Sequence, residues 1–197
     1  MADRQPRRAV VVRHGETAWS ASGRHTGATD VELTDEGRAL ARTLGVSLAG
    51  GRFALVLTSP LRRARDTATL AGYPHAEVEP DLVEWDYGDY EGLTTPEIRE
   101  TVPGWAVWTH PVPGGETADQ VAARADRVIA RIEGADGDVA VFSHGHFLRV
   151  LAARWLEEPA AFGGRLLLGT ACRGVLGHER ERRALERWNV PPAPASA

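Results

Sequence analysis

Three segments that are far apart in the sequence combine histidine, arginine and small residues. They are RHGE at 13–16, SPLRR at 59–63 and SHGH at 143–146, and an apolar run precedes each of them. Ligands bind at the carboxyl ends of the strands in open α/β sheets, so we expect the three segments to meet there. Arginines and helix N-termini at such an edge attract anions, and phosphate is the natural candidate.

His14 and His144 suit the chemistry of phosphoryl transfer. A neutral imidazole is a competent nucleophile toward phosphorus, and neighbouring arginines disfavour its protonated form. We predict that Arg13 and Arg63 bind the phosphoryl oxygens, over which charge is spread during transfer. His144 is expected to donate a further hydrogen bond to the same group. Such a site needs no metal ion and no other cofactor.

The leaving oxygen also needs a proton, which a carboxyl group can supply. Glu84 stands beside Trp85, and an apolar neighbour can keep a carboxyl group protonated. Asp86, Asp89 and Glu91 are rival carboxylates in the same segment, and spacing alone does not choose among the candidates. A protonated donor predicts activity that peaks on the acid side of neutral.

Strand-like and helix-like patterns alternate along the chain. This order predicts an α/β fold, a three-layer α/β/α sandwich with a mainly parallel central sheet. Short apolar runs predict strands at 9–12, 53–58 and 138–142, and a late strand at 166–176. Helical spacing and capping residues predict helices that begin near Thr34, Ser59, Thr95, Thr117 and His146.

The segment 85–115 contains aromatic residues among prolines and glycines, with little regular period. An irregular stretch of this length predicts a lid or pocket wall within a single domain that spans 1–197. Arg99 is its one arginine. An aromatic wall with few cations suggests a monophosphate ester with one bulky or apolar end. The proline-rich tail at 190–197 is predicted to be disordered.

The composition argues against several classes of function. The net charge of −4 gives no general basic field for nucleic acid, and no apolar run is long enough to span a membrane. All 23 basic residues are arginine, which rules out lysine nucleophiles and a P-loop lysine. The single cysteine, Cys172, fits a reducing compartment. We therefore predict a cytoplasmic protein. Its expected partner is a small phosphate monoester, and a homodimer that pairs through an edge strand is left open.

Five motifs, in order, resemble the histidine phosphatase superfamily, the group named for its phosphoglycerate mutase members. They are RHGETAWS at 13–20, TG at 26–27, SPLRRARDTA at 59–68, EWDYGDYEG at 84–92 and SHGHF at 143–147. The resemblance implies the fold predicted above, a phosphorylated histidine at His14, and Glu84 as the proton donor.

The resemblance also implies which residues bind the substrate. His144 is the partner that binds the phosphate, and Arg13 is the arginine before the nucleophile. Arg63 is the arginine of the helix motif. The full set implied for substrate binding is Arg13, Ser20, Thr26, Gly27, Arg63, His144 and Gly145.

Phosphatases and mutases of this family share their chemistry as far as the phosphohistidine. Mutases that resemble this chain are longer and have paired basic residues in an inserted segment, whereas 85–116 contains Arg99 alone. We therefore predict a phosphatase of broad specificity. A phosphoglycerate mutase or a sugar-bisphosphate phosphatase is the alternative, and a non-catalytic module that binds a phospho-ligand is a more remote one. A metal-dependent phosphoesterase is disfavoured, because no paired aspartate cluster is present.

Overall fold

A six-stranded mixed sheet forms the centre of the computed structural model, which describes residues 7–192. The strands are β1 (Ala9–Arg13), β2 (Leu55–Thr58), β3 (Glu77–Val78), β4 (Val139–Ser143), β5 (Arg173–Glu179) and β6 (Arg182–Val190). Their order is β3-β2-β4-β1-β5-β6, with parallel pairing from β3 to β1 and antiparallel pairing from β1 to β6. The prediction of an α/β fold with a mainly parallel sheet is confirmed.

Helices cover both faces of this sheet. They are α1 (Ala18–Ser22), α2 (Asp35–Leu48), α3 (Arg62–Leu70), α4 (Thr95–Thr101), α5 (Ala118–Gly134) and α6 (Gly145–Trp155). Successive residues of a strand point to opposite faces. Accordingly, Val139 and Val141 pack in the cluster that includes α5 and α6, while Ala140 and Phe142 pack with α2 and α3. The predicted three-layer sandwich follows from this alternation.

The register of the parallel strands aligns their carboxyl ends. Arg13 at the end of β1 lies opposite Ser143 at the end of β4, and Thr58 at the end of β2 lies opposite Phe142. The residues that follow the three strands therefore meet at one edge of the sheet, as the sequence predicts.

The helix predicted to begin at Ser59 begins later, at Arg62. Its N-cap residue, Leu61, makes no side-chain cap, and the Ser59 hydroxyl accepts a 3.3 Å hydrogen bond from the Leu61 amide. Ser59 also lies 2.8 Å from a ring nitrogen of His144. The prediction was wrong because the Ser59 side chain hydrogen-bonds within the loop and to His144, and it does not cap the helix.

The strand predicted at 166–176 is also displaced. Residues 166–171 form no strand, because the carbonyl of Leu168 accepts from Arg13 and the amide of Ala171 donates to His14. The strand begins at Arg173, and β6 was not predicted. Its charged residues interrupt the alternation of apolar and polar positions, and charged residues are common on an edge strand.

The predicted disordered tail falls mostly outside the described residues, which end at 192. Val190 at its start is the last residue of β6, so the prediction was wrong there. Within the described range 7–192, no helix is long and apolar enough to cross a membrane.

The aromatic segment 85–115 packs onto the core. Trp85, Tyr87 and Trp105 are each 1% exposed, and α4 lies within this segment. Most of its large aromatic side chains therefore stabilise the fold, and this limits how many of them can contact a ligand.

Candidate active site

His14 follows β1 with its ring orientation fixed by the adjacent backbone. Its Nδ1 lies 2.7 Å from the carbonyl oxygen of Gly15. A carbonyl oxygen only accepts, so Nδ1 carries the hydrogen and Nε2 has a free lone pair. Burial, followed by the charges of Arg13 and Arg63, lowers the pKa of His14 well below 6.5. The ring is therefore neutral at physiological pH, as a nucleophile requires.

His144 lies behind His14 in a hydrogen-bond network. The two ring centroids are 5.2 Å apart. Nε of Arg63 donates to Nδ1 of His144 over 3.1 Å, so the hydrogen of His144 is on Nε2, which donates to the hydroxyl of Ser59 at 2.8 Å. Burial is the main cause that lowers the pKa of His144 well below 6.5, and Arg63 adds to it. His144 is therefore also neutral and has one defined tautomer.

Arg63 is fully buried and orders the loop at 26–29. Its Nη1 donates to the carbonyl of Thr29 at 2.8 Å, and its Nη2 donates to those of Thr26 and Gly27, both at 2.9 Å. From the other side, the carboxylate of Glu91 accepts from the amides of Gly27 and Thr29. A Cβ at Gly27 would lie 2.7 Å from Glu91 and 2.8 Å from the backbone of Trp85, so this close packing needs a glycine.

Arg13 has a donor that no protein atom satisfies. Its Nη1 donates to the carbonyl of Leu168 at 2.6 Å, whereas its buried Nε has no partner in the described part of the chain. The backbone of Gly145 lies against this guanidinium, and a Cβ there would be 3.1 Å from Nε. Because a buried unpaired donor is costly, the free Nε indicates a place for an anion.

Glu84 is 7% exposed and accepts from the start of α6. Its two oxygens accept from the amides of His146 at 3.0 Å and Phe147 at 2.8 Å, and from that of Trp85 at 2.9 Å. Arg124 donates to the carbonyl of Glu84 and, more strongly, to two carbonyls earlier in the same segment. Glu116 pairs with this arginine at 2.8 Å. The carboxyl group is therefore held at one place by backbone contacts on both sides.

A cavity of about 260 Å³ opens beside His14, and we call it the reaction cavity. It is lined by Arg13, His14, Ser20, Gly23, Arg24, His25, Thr26, Glu84, Tyr87, Thr95, Gly145, His146, Arg149 and Leu168. We refer to Arg13, His14, Arg63, Glu84 and His144 as the inner network. The outer wall is the set Arg24, His25, Tyr87, His146 and Arg149.

The outer wall is built from aromatic and hydrogen-bond contacts. The hydroxyl of Tyr87 hydrogen-bonds to Nδ1 of His146, and burial raises the pKa of Tyr87 well above 10, so this hydroxyl keeps its proton. The ring of His25 stacks at 4.7 Å on Tyr87, and Trp108 packs at 5.0 Å on His146. Burial lowers the pKa values of both histidines. These rings are neutral and tightly packed.

The structure brings most of the predicted site residues to the cavity, but not all of them. Arg13, His14, Ser20, Thr26, Glu84 and Gly145 line it. Arg63 and His144 contact each other behind His14 and do not line it. Gly27 lines a separate cavity of about 330 Å³, which Glu84 also reaches from its other side.

The sequence did not indicate Arg24 or Arg149 of the outer wall. Tyr87 of the predicted aromatic wall lines the cavity, whereas Trp85 and Trp105 are buried in the core. The expectation of few cations was wrong, because arginines from other segments line the cavity. Arg149 could have been found, since it lies three residues after His146 on the same helical face.

The chain is similar to known proteins over most of its length. The model of the histidine phosphatase superfamily (branch 1) matches residues 9–191. An acid phosphatase of Mycobacterium tuberculosis is 50% identical over 90% of this chain and 90% of its own length. Sedoheptulose 1,7-bisphosphatase of Saccharomyces cerevisiae is 38% identical, over 75% of this chain and 67% of its own.

Solved structures are similar over nearly the whole chain. The product of an open reading frame of Mycobacterium tuberculosis superposes with a TM-score of 0.91 at 48% identity, covering 95% of this chain and 99% of its own. A mycobacterial glucosyl-3-phosphoglycerate phosphatase, solved as a complex with VO3, has a TM-score of 0.84 at 32% identity and covers 93% and 99%.

Proposed function

The chain belongs to the histidine phosphatase superfamily and is a phosphatase, and we propose that it hydrolyses small phosphate monoesters through a phosphohistidine at His14. One observation carries this proposal. His14 and Arg13 both line the reaction cavity, and within residues 7–192 neither Nε2 of His14 nor Nε of Arg13 has a hydrogen-bond partner. A nucleophile and an anion-binding donor thus stand together at one cavity wall.

The reaction takes two steps. The lone pair of His14 Nε2 forms a bond to phosphorus as the P–O bond to the alcohol breaks, and Glu84 gives a proton to the departing oxygen. Water then forms a bond to phosphorus and the N–P bond breaks, while the Glu84 carboxylate takes the proton of the water. Phosphate leaves, and His14 and Glu84 return to their starting states.

Glu84 must hold a proton when the ester is cleaved. The amide contacts of Glu84 with His146 and Phe147 fix where this proton is delivered. Arg124 assists by holding the backbone of the segment that carries Glu84.

Arg63 and His144 contribute from behind the nucleophile. Arg63 fixes the tautomer of His144, whose Nε2–H donates to Ser59 in the free protein. When the phosphoryl group enters, this N–H is the nearest neutral donor of the inner network to His14. It can move from the serine to a phosphoryl oxygen, which is the role that we propose for it.

Phosphatase activity is favoured over mutase activity by the aromatic segment. Arg99, its one arginine, donates to the carbonyl of Trp105 at 2.9 Å and does not line the cavity. Gly23 and Arg24 at the cavity rim are exposed, which leaves the phosphohistidine open to water. A related glucosyl-3-phosphoglycerate phosphatase has been solved with inorganic phosphate, which supports phosphate binding at this site.

The same proposal includes the pH profile and the cofactor requirement. Because the pKa of His14 lies well below 6.5, the nucleophile stays neutral in mildly acidic solution, where a carboxyl donor is most effective. This supports an optimum on the acid side of neutral. The two steps use protein groups alone, so activity needs no metal ion.

Phosphate release from a panel of monoesters tests the proposal. Wild type and His14→Ala are compared with EDTA present, and His75→Ala is the control because His75 is exposed and distant from the cavity. We expect release by wild type and by the control, and a loss of at least about 10⁴-fold in kcat for His14→Ala. Release that EDTA abolishes, or that survives in His14→Ala, would contradict the mechanism.

A further inference from the structure

The second histidine of the SHGH motif takes no part in the two steps of the proposed reaction. His146 lies in the first turn of α6 and lines the reaction cavity. Its ring is nevertheless held in place, because the Tyr87 hydroxyl hydrogen-bonds to it and the ring of Trp108 packs on it at 5.0 Å. A polar ring fixed in this way at a cavity wall calls for an explanation.

The contact with Tyr87 sets the tautomer of His146. Burial raises the pKa of Tyr87 well above 10, so the hydroxyl keeps its proton. Tyr87 is 1% exposed, and within residues 7–192 its hydroxyl has no acceptor other than Nδ1 of His146. The hydroxyl therefore donates to Nδ1. Since burial lowers the pKa of His146 and keeps the ring neutral, the one ring hydrogen of His146 is on Nε2.

This Nε2–H is free to bind a ligand. Within residues 7–192 Nε2 of His146 has no hydrogen-bond partner, and it is not one of the buried donors that lack a partner there. The atom is therefore open to the cavity that the residue lines. A neutral imidazole N–H that is fixed in place can stabilise negative charge that develops on a reacting oxygen.

The backbone of His146 brings this donor close to the proton donor. Its amide donates to Glu84 at 3.0 Å, and the amide of Phe147 donates to the other oxygen of the same carboxyl group at 2.8 Å. The leaving oxygen must lie within hydrogen-bond reach of the Glu84 carboxyl group to receive its proton. The ring of His146 belongs to the residue that holds this carboxyl group, so its Nε2–H can reach the same oxygen.

We propose that His146 is a further catalytic residue, whose Nε2–H donates a hydrogen bond to the ester oxygen that leaves phosphorus. Negative charge grows on this oxygen as the P–O bond breaks, and the N–H stabilises it. Glu84 supplies the proton and His146 keeps its own, so the balance of the two steps is unchanged. Tyr87 acts through His146 and is a positioning residue. The inference rests on the proposed function, because it adds a donor to the first of its two steps.

A series of aryl phosphates tests the inference. Phenyl phosphates with p-nitro, p-chloro or p-methoxy substituents, or with none, have nearly the same size but differ in the acidity of the leaving phenol. Because kcat/KM includes P–O cleavage, its dependence on that acidity measures how well the protein stabilises the leaving oxygen. Wild type is compared with His146→Leu, His146→Gln, Tyr87→Phe and the control His75→Leu, since His75 is exposed and outside the cavity.

We expect His146→Leu to lower kcat/KM about tenfold for phenyl phosphate and less than about threefold for p-nitrophenyl phosphate, whose leaving group is stable as an anion. His146→Gln should keep part of the lost rate, because the glutamine amide is a neutral donor near the position of Nε2. Tyr87→Phe should lie between wild type and His146→Leu, because it frees the tautomer of His146. His75→Leu should match wild type.

Nitrogen NMR of isotope-labelled histidine rings tests the geometry separately from catalysis. In wild type His146 should have its hydrogen on Nε2 and a lone pair on Nδ1, and Tyr87→Phe should populate both tautomers. The signals are assigned by their loss in His146→Gln. Thermal unfolding checks every variant, and if His146→Leu does not fold, the stronger dependence on the leaving group expected of Tyr87→Phe tests the same donor.

A wild-type His146 with its hydrogen on Nδ1 would overturn the inference and leave the phosphatase intact. The same holds if His146→Leu loses activity equally on every ester of the series, or loses none. A wild type that hydrolyses none of these esters would instead contradict the proposed function.

Discussion

The inner network and the outer wall meet at the reaction cavity but are built in different ways. The inner network stands at the ends of β1 and β4, at the first turn of α3 and, for Glu84, in the segment between β3 and α4, where hydrogen bonds fix each side chain. The outer wall is assembled from a loop, the aromatic segment and the first two turns of α6. We propose that the inner network does the chemistry, and short motifs specify it. The outer wall is assembled by tertiary packing and surrounds the rest of the bound ester.

Apart from loss of the nucleophile itself, Arg63→Met should have the largest effect in the inner network. It leaves Nδ1 of His144 and the buried carbonyls at 26–29 without donors. We expect unfolding free energy to fall by about 3–5 kcal/mol and kcat/KM by about 10³-fold. Denaturant unfolding and phosphate release measure both.

Arg65→Met is the matched control for that change, because Arg65 is exposed on the same helix. Its stability should stay within about 0.5 kcal/mol of wild type. Full activity in Arg63→Met would show that Arg63 does not belong to the inner network.

Glu84→Gln tests the proton donor and should come next in size. We expect kcat for alkyl phosphates to fall by about 10²–10³-fold, and by much less for p-nitrophenyl phosphate, whose leaving group needs no proton. Asp86→Asn is the control, since Asp86 is an exposed carboxylate two residues away. Equal losses on both leaving groups would show that Glu84 acts by position and not as an acid.

The buried histidines should make stability depend on pH. The pKa values of His14, His144 and His146 are lowered, mainly by burial, well below 6.5. Below about pH 6.5 these histidines bind protons in the unfolded chain but not in the native state, so the free energy of unfolding decreases as pH falls. Each histidine contributes up to about 1.4 kcal/mol to the decrease in unfolding free energy per pH unit.

Urea unfolding at pH 7.5, 6.0 and 5.0 measures this slope. His146→Gln, in the outer wall, should make the slope shallower by one histidine and leave the contributions of His25 and of the two histidines of the inner network. A stability that is constant from pH 7.5 to 5.0 would mean that these rings are protonated in the native state.

Gly145→Ala should have the smallest effect. The new Cβ would lie 3.1 Å from Nε and 3.2 Å from Cζ of Arg13, so the guanidinium must shift by a few tenths of an ångström. We expect kcat/KM to fall by about 3–10-fold. Gly134→Ala is the control because no atom lies within 4 Å of its Cβ, and an unchanged Gly145→Ala would show that Arg13 tolerates displacement.

The sequence predicts the layers, the main strands and the inner network for a physical reason. A strand and the residues that follow it are local in the chain, so a motif such as SHGH indicates both the structure and the site. Ser59 shows where this fails, because its hydroxyl could cap a helix or contact His144, and only the packed structure decides between them. Arg24 is a different case, because it contacts Gly92 and Glu97, which are distant in the chain, and no local pattern indicates such contacts.

If His14 carries the phosphoryl group during turnover, rapid-quench peptide mapping will detect it there. The enzyme is mixed with a substrate that it hydrolyses fast, the reaction is stopped with base within milliseconds, and the phosphopeptides are sequenced by mass spectrometry. We expect a transient phosphate on His14 in wild type, and a longer-lived one in Glu84→Gln with p-nitrophenyl phosphate. Phosphate on another residue, or turnover with no phosphorylated enzyme under either condition, would contradict it.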